Sequence, residues 1–153
     1  MHTNRHTSTH SKLDFLSVLL AISMIGVSET MNLGINLGVD PKLLTSILST
    51  ATGRCWSVDT YNPVPGVMPN VPSSKNYEGG FGAQLMLKDL ALAQDAATRT
   101  STATPLGSSS LHIYRLMCNS GEFANKDFSS AFQYLSKEEN KYKDYQMVED
   151  IPM

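Results

Sequence analysis

The sequence predicts an all-α fold, a helical bundle domain of five to six helices around one core, built on one long N-terminal helix and without a sheet. Three observations predict it. No segment alternates apolar and polar residues with period two, as a half-buried strand must. FGAQLMLKDLALAQDAATRT, Phe81 to Thr100, repeats its apolar residues at helical spacing: Leu85, Leu92 and Ala96 lie along one face, with Met86, Leu90 and Ala93 beside it. Helix starts and stops punctuate the rest, with Asp40–Pro41, Pro105 and Asp127 placed to open helices and Gly38, Gly53 and Gly121 to close them.

The first helix is read from about Leu13 to Leu37. Its first half is apolar nearly all round, the mark of a helix buried inside an assembly. HSKLDFLSVLLAISMIG, His10 to Gly26, also has the outline of an export signal or an anchor. The uncharged run from Phe15 to Ser28 is about 14 residues, which at 1.5 Å per residue falls short of a bilayer core about 30 Å thick. A cleavable signal is disfavoured because Asp14 stands at the start of the run, no A-x-A-like site follows, and the apolar pattern continues through Met31, Leu33, Ile35 and Leu37.

A second helix is expected from Pro41 to Thr50, with Asp40 as its cap. The stretch from Thr52 to Gly82 is rich in proline and glycine and shows no sustained periodicity. It also carries Trp56, Tyr61, Tyr77 and Phe81, which suits a packed loop with at most one short helical turn. Trp56, Tyr61 and Tyr77 are read as anchors of that loop on the core. Helices follow over 81–100, from Pro105 towards Gly121, and from Asp127 through Phe128, Phe132 and Leu135. His112 lies near Ile113 and Leu116 and is assigned to core or interface packing. Three regions result: residues 1–15, expected to be disordered; the helical domain, 16–136; and a charged tail, 137–153.

A net charge of −2 gives no case for nucleic acid or anionic lipid, which require a concentrated basic face. Cys55 and Cys118 lack metal-type spacing; two buried free thiols are favoured over a single disulfide. His2, His6 and His10 would share a face of a helix, but their Ser/Thr/Asn-rich setting favours a solvated tail, and no metal is expected.

Helix-MNLGINLGVDPKLL-helix, then GRCWSVDTYNPVPGV, then NYEGGFGAQLMLKDLALAQDA, resembles the C-terminal domain of the β-hydroxyacid dehydrogenases, and within them the 3-hydroxyisobutyrate dehydrogenase branch. The resemblance runs from about Leu19 to Leu135. It implies a domain that is joined in the family to a Rossmann domain through a long shared helix, in enzymes that oxidise a β-hydroxyacid by hydride transfer to NAD and, in this branch, serve valine breakdown. It implies Lys88 as a contact to NAD, Phe81 at the mouth of the same cleft, and Asp89 as the group that orients or neutralises Lys88. It further implies a homo-oligomer or a full-length subunit as partner, and the mitochondrial matrix as location. The first 13 residues, basic and hydroxyl-rich, faintly resemble a transit peptide.

The family's proton-transfer motif, Lys-x-x-Asn-Asn, falls on Leu13, Asp14, Phe15, Leu16 and Ser17, so none of its three functional residues is kept. Lys12 is the one stand-in, and a poor one. A step of one residue turns a side chain about 100° around a helix, and the residues three and four positions on, Phe15 and Leu16, cannot hold a hydroxyl or a carboxylate. No catalytic residue is therefore assigned. No G-x-G-x-x-G occurs, and GGFG at Gly79–Gly82 lacks the spacing and the preceding strand of a dinucleotide fingerprint. The sequence predicts a chain that does not transfer hydride alone and does not bind NAD unaided. A non-catalytic assembly module, pairing with itself or with full-length subunits, is the alternative.

Overall fold

A computed structural model describes residues 9–137, with side chains from Phe15 onward. The helices are α1 (Thr9–Asn36), α2 (Pro41–Thr50), α3 (Trp56–Asp59), α4 (Ala83–Thr100) and α5 (Pro105–Asn119). A last helix, α6, occupies residues 131–137. No strand occurs among the described residues, and the one isolated bridge pairs Gly82 with Asp127. The expected all-α fold and helix count hold.

α1 begins at Thr9 rather than Leu13, so the expected boundary at residue 15 falls inside a helix. Lys12, Leu13 and His10 sit in its first turns, where the backbone alone is described; His2, His6 and the tail from residue 138 lie outside the described residues. α1 is not buried all round. Ala21, Met24, Ser28 and Met31 are fully covered and Asn32 is buried, while Phe15, Leu16, Leu19 and Leu33 are exposed, as is Leu37 just past the helix end. The polar residues on the covered face are satisfied: Ser28 Oγ donates to the Met24 carbonyl at 2.7 Å, and Asn32 Nδ2 to the Phe132 carbonyl at 3.3 Å. The apolar stretch is also longer than the expected 14 residues or so, because one glutamate does not end an apolar helix. Phe15–Asn36, with Glu29 included, is 22 residues at mean hydropathy 1.6, long and apolar enough to cross a membrane by length and composition. Here it serves as the central helix, packed along α4 and α5.

Gly38 ends α1 at φ +85°, a conformation that favours glycine, and Asp40 Oδ1 accepts from the Leu43 amide at 2.9 Å to start α2. Gly34 is the contact point of α1 and α2, since a β-carbon there would overlap Leu44 Cδ2. The loop between α2 and α4 holds two helical segments, α3 and a 3-10 turn at Pro72–Lys75, where the sequence suggested one at most. Fully buried Asn62 organises it. Its Nδ2 donates to Thr45 Oγ1, its Oδ1 accepts from the Val64 amide, and its carbonyl accepts from Ser73 Oγ.

Of the two apolar faces of α4, the one bearing Ala83, Met86, Leu90 and Ala93 is buried; Leu85 and Leu92 remain about half exposed. On α5 the buried set is Ser110, Leu111, Tyr114 and Met117. His112 falls on the outer side of this helix and is exposed, so of its two expected roles, core or interface packing, the core one does not occur. Asp127 opens the last helical segment as expected, but its first turn, Phe128–Ser130, is 3-10 before α6 continues. Cys55 and Cys118 are free thiols, half-buried rather than buried. The core is one cluster of Met24, Met86, Leu90, Tyr114, Met117 and Phe128, with a satellite of Val27, Met31, Val58 and Val64 beneath α2 and α3.

Candidate functional site

The polar residues that resemblance singles out meet at the junction of α1 and α4. Ser17 lies on the buried face of α1, and its Oγ donates to Asp89 Oδ2 at 3.0 Å across 72 residues of chain. The other carboxylate oxygen of Asp89 is 3.2 Å from Lys88 Nζ; the lysine side chain is 62% exposed, the aspartate 15%. Asp89 is thus fixed on one side by the core helix and pairs on the other with the ammonium of a largely exposed lysine. That arrangement orients Lys88 but leaves its charge accessible to a ligand, as a flexible point charge for a phosphate or a ribose requires. Ser17 stands where the resemblance expects an asparagine. One hydroxyl committed to Asp89 has no second amide donor to offer a substrate.

Phe81 is half-buried just ahead of α4, with its ring edge-on to Phe128 at 6.1 Å. Its backbone is held at both ends: the amide donates to Asp127 Oδ2 at 2.8 Å, and the carbonyl accepts from the Phe128 amide at 2.8 Å. Asp127 is fully buried and ties three segments together. Oδ2 also accepts from Tyr61 Oη at 3.0 Å, while Oδ1 accepts from the Ser129 amide at 2.9 Å and from Ser129 Oγ. Burial pushes the Asp127 carboxyl above its ordinary value, against the opposing pull of these donors. Burial, then the charge of Asp127, pushes the Tyr61 hydroxyl well up in turn.

The expected aromatic anchors are present. Tyr77 is buried, with its hydroxyl donating to the Pro63 carbonyl at 2.9 Å. Tyr61 stacks between Trp56, at 4.8 Å, and Phe128, at 5.6 Å. Trp56 tops this stack and is 48% exposed, so it is a surface wall as much as an anchor. Sequence reading missed the Asp127 assembly and the Ser17–Asp89 bond. The former showed only as a helix cap; the latter joins positions whose proximity no local pattern encodes.

A family model described as NAD-binding of NADP-dependent 3-hydroxyisobutyrate dehydrogenase matches residues 15–135 of this chain. The chain belongs to that family. Its similarity to the mitochondrial 3-hydroxyisobutyrate dehydrogenase of Rattus norvegicus is 65% identity over 123 residues, 80% of this chain and 36% of the relative. The mitochondrial enzyme of Homo sapiens is 63% identical over the same extent. Among solved structures, Mycobacterium tuberculosis 3-hydroxyisobutyrate dehydrogenase with L-serine superposes at TM-score 0.76 with 35% identity, covering 82% of this chain and 42% of that one. The chain spans about a third of the length of the curated relatives it matches.

Proposed function

We propose that the chain provides the helical wall of an NAD cleft of the 3-hydroxyisobutyrate dehydrogenase type, with Lys88 as the cofactor contact and Phe81 at the mouth. The observation that carries this reading is Lys88 itself, an ammonium at a matched family position, paired at Nζ with an aspartate that is fixed from the core helix, on a side chain that stays 62% exposed. NAD, when bound in such a cleft, accepts the hydride. The residues present fit the rim of a nucleotide; they do not fit the proton transfer, because Leu13, Leu16 and Ser17 occupy the motif. In an assembled dehydrogenase the reaction is oxidation of 3-hydroxy-2-methylpropanoate to its semialdehyde, a step of valine breakdown, in the mitochondrion that the relatives' names indicate.

The purified chain, given NAD and 3-hydroxyisobutyrate and followed by the near-ultraviolet absorbance of NADH, should show no turnover above a protein-free blank. General acid–base assistance alone contributes on the order of 10²–10⁴-fold, and Leu13, at the motif's lysine position, cannot give it. Turnover at an enzyme-like rate would overturn this reading.

A second reading, a non-catalytic module that pairs with itself or with full-length subunits, draws on the exposed Leu33 of α1, Leu37 just past its end, and Leu43 and Ile47 of α2. Co-purification of this chain with a tagged full-length relative favours it over the first; a chain that stays monomeric and unassociated counts against it.

A further inference from the structure

Phe81, at the mouth of the proposed cleft, and Trp56, which walls the groove between α1 and α3, are both partly exposed, and both are held by the same two consecutive residues. Their rings lean on Phe128. Phe81 meets it edge-on at 6.1 Å, and Trp56 reaches it through Tyr61, which stacks on Phe128 at 5.6 Å and on Trp56 at 4.8 Å. Their polar attachments end one residue earlier, on a single atom: Asp127 Oδ2 accepts from the Phe81 amide at 2.8 Å and from the Tyr61 hydroxyl at 3.0 Å. We infer that Asp127 is a positioning residue for the cleft, its Oδ2 holding Phe81 and, through Tyr61, Trp56 in one fixed arrangement. The inference rests on the reading of Phe81 as the mouth of an NAD cleft.

The oxygen cannot serve one wall independently of the other. Asp127 Oδ1 is taken by the Ser129 amide and hydroxyl, which fixes the rotation of the carboxylate, and Oδ2 is packed against Gly80, where a β-carbon would overlap it. The Asp127 amide donates to the Tyr77 carbonyl at 2.9 Å, so main chain and side chain are both anchored. Hydrogen bonds to an ionised acceptor are stronger than neutral ones, which suits this carboxylate to the task. Tyr61 lies nearly flat between two rings, a geometry that resists separation but not sliding, and the hydroxyl bond at its tip stops the slide. Trp56 stacks on that ring with 48% of its surface exposed, so a movement of Tyr61 passes to it.

Trp56 is the chain's single tryptophan, so a proton–nitrogen NMR spectrum of the whole chain reads both walls, one by its indole N–H and the other by the Phe81 amide. Titration of the Asp127 carboxyl into acid, over the range in which far-UV circular dichroism stays constant, should move the two signals together with a single midpoint. The other titratable groups that face Asp127, the hydroxyls of Tyr61, Tyr77 and Tyr114, are pushed above their ordinary range by burial and then by the Asp127 charge, away from this window. Asp59, which shares α3 with Trp56, is held below the ordinary carboxylate value by its hydrogen bond from Arg54. Any other charge near Trp56, those of Lys12 and Asp14 included, acts on it without Tyr61. Tyr61→Phe keeps the ring and removes the bond; the Phe81 titration should persist in it and that of Trp56 should be lost. At neutral pH the same variant should raise iodide quenching of Trp56 fluorescence towards that of free tryptophan. Ser129→Ala removes a donor from Oδ1 only, so it should raise both midpoints together and leave quenching at the wild-type value. A purely structural role for Asp127 would loosen Trp56 equally in both variants. Three results refute the proposal: different midpoints for the two signals, a Trp56 titration that survives Tyr61→Phe, or unchanged quenching in that variant. Neither cofactor nor substrate enters these measurements, so their failure leaves the NAD reading to its own assay, and turnover there leaves this coupling in place.

Discussion

Replacing Asp127 by alanine is expected to destabilise the domain by about 4 kcal/mol, a large part of the roughly 5–15 kcal/mol that holds such a domain folded. The substitution strands the amides of Phe81 and Ser129 and the hydroxyls of Tyr61 and Ser129, all of which now donate to one buried carboxylate. Buried donors left without an acceptor each lose on the order of 1–3 kcal/mol, and the partial relaxation of the two hydroxyls keeps the sum below the simple total. Urea unfolding followed through Trp56 fluorescence measures the effect; a loss under about 1 kcal/mol would mean that water replaces the carboxylate. The effect should depend on pH. Burial raises this carboxyl above its ordinary 3.8, so the folded state holds the proton more tightly than the unfolded one. The contribution of Asp127 therefore falls as pH rises from about 3.8 through the raised value, and the gap between wild type and variant narrows in that direction.

The second large effect is expected at Gly80. Its φ of +66° lies in the left-handed region, where a side chain costs about 1 kcal/mol, and a β-carbon there would overlap Asp127 Oδ2 and stand 2.5 Å from Tyr61 Oη and 2.8 Å from Pro72 Cγ. None of these neighbours is the free end of a flexible side chain. Gly80→Ala should therefore destabilise by about 3 kcal/mol, with Gly79→Ala as the control: its φ is equally positive, at +76°, but nothing lies near its β-carbon. Equal effects at the two glycines would show that backbone strain, not the crowded carboxylate, sets the cost.

These two sites mark the limit of what was legible in the sequence. Asp40, Gly38 and Pro105 announced their helix ends because capping and left-handed stops are local chemistry, decided within a few residues. Periodicity found α4 but not its buried side, since Leu85 and Leu92 are as apolar as Met86 and Leu90, and only the position of α1 decides between them. α1 defeats hydrophobicity altogether: Ser17, Ser28 and Asn32 face inward on hydrogen bonds while four large apolar residues face out. Resemblance placed Phe81 and Lys88 by analogy. It gave no sign of the carboxylate that holds the Phe81 backbone or of the serine that holds Asp89, because the partners lie 46 and 72 residues away in the chain.

Asp127 also bears on the order in which the domain assembles. Its bonds to Phe81 and Tyr61 close loops of 46 and 66 residues. The entropy of closing a loop grows only with the logarithm of its length, so the longer of these two costs only a few tenths of a kcal/mol more than the shorter. Both closures end on the same carboxylate oxygen, and once either has formed the other partner is already close by. Although the described elements are helices that form from local contacts, completion of the fold waits on distant meetings, and at this residue two of them share one oxygen.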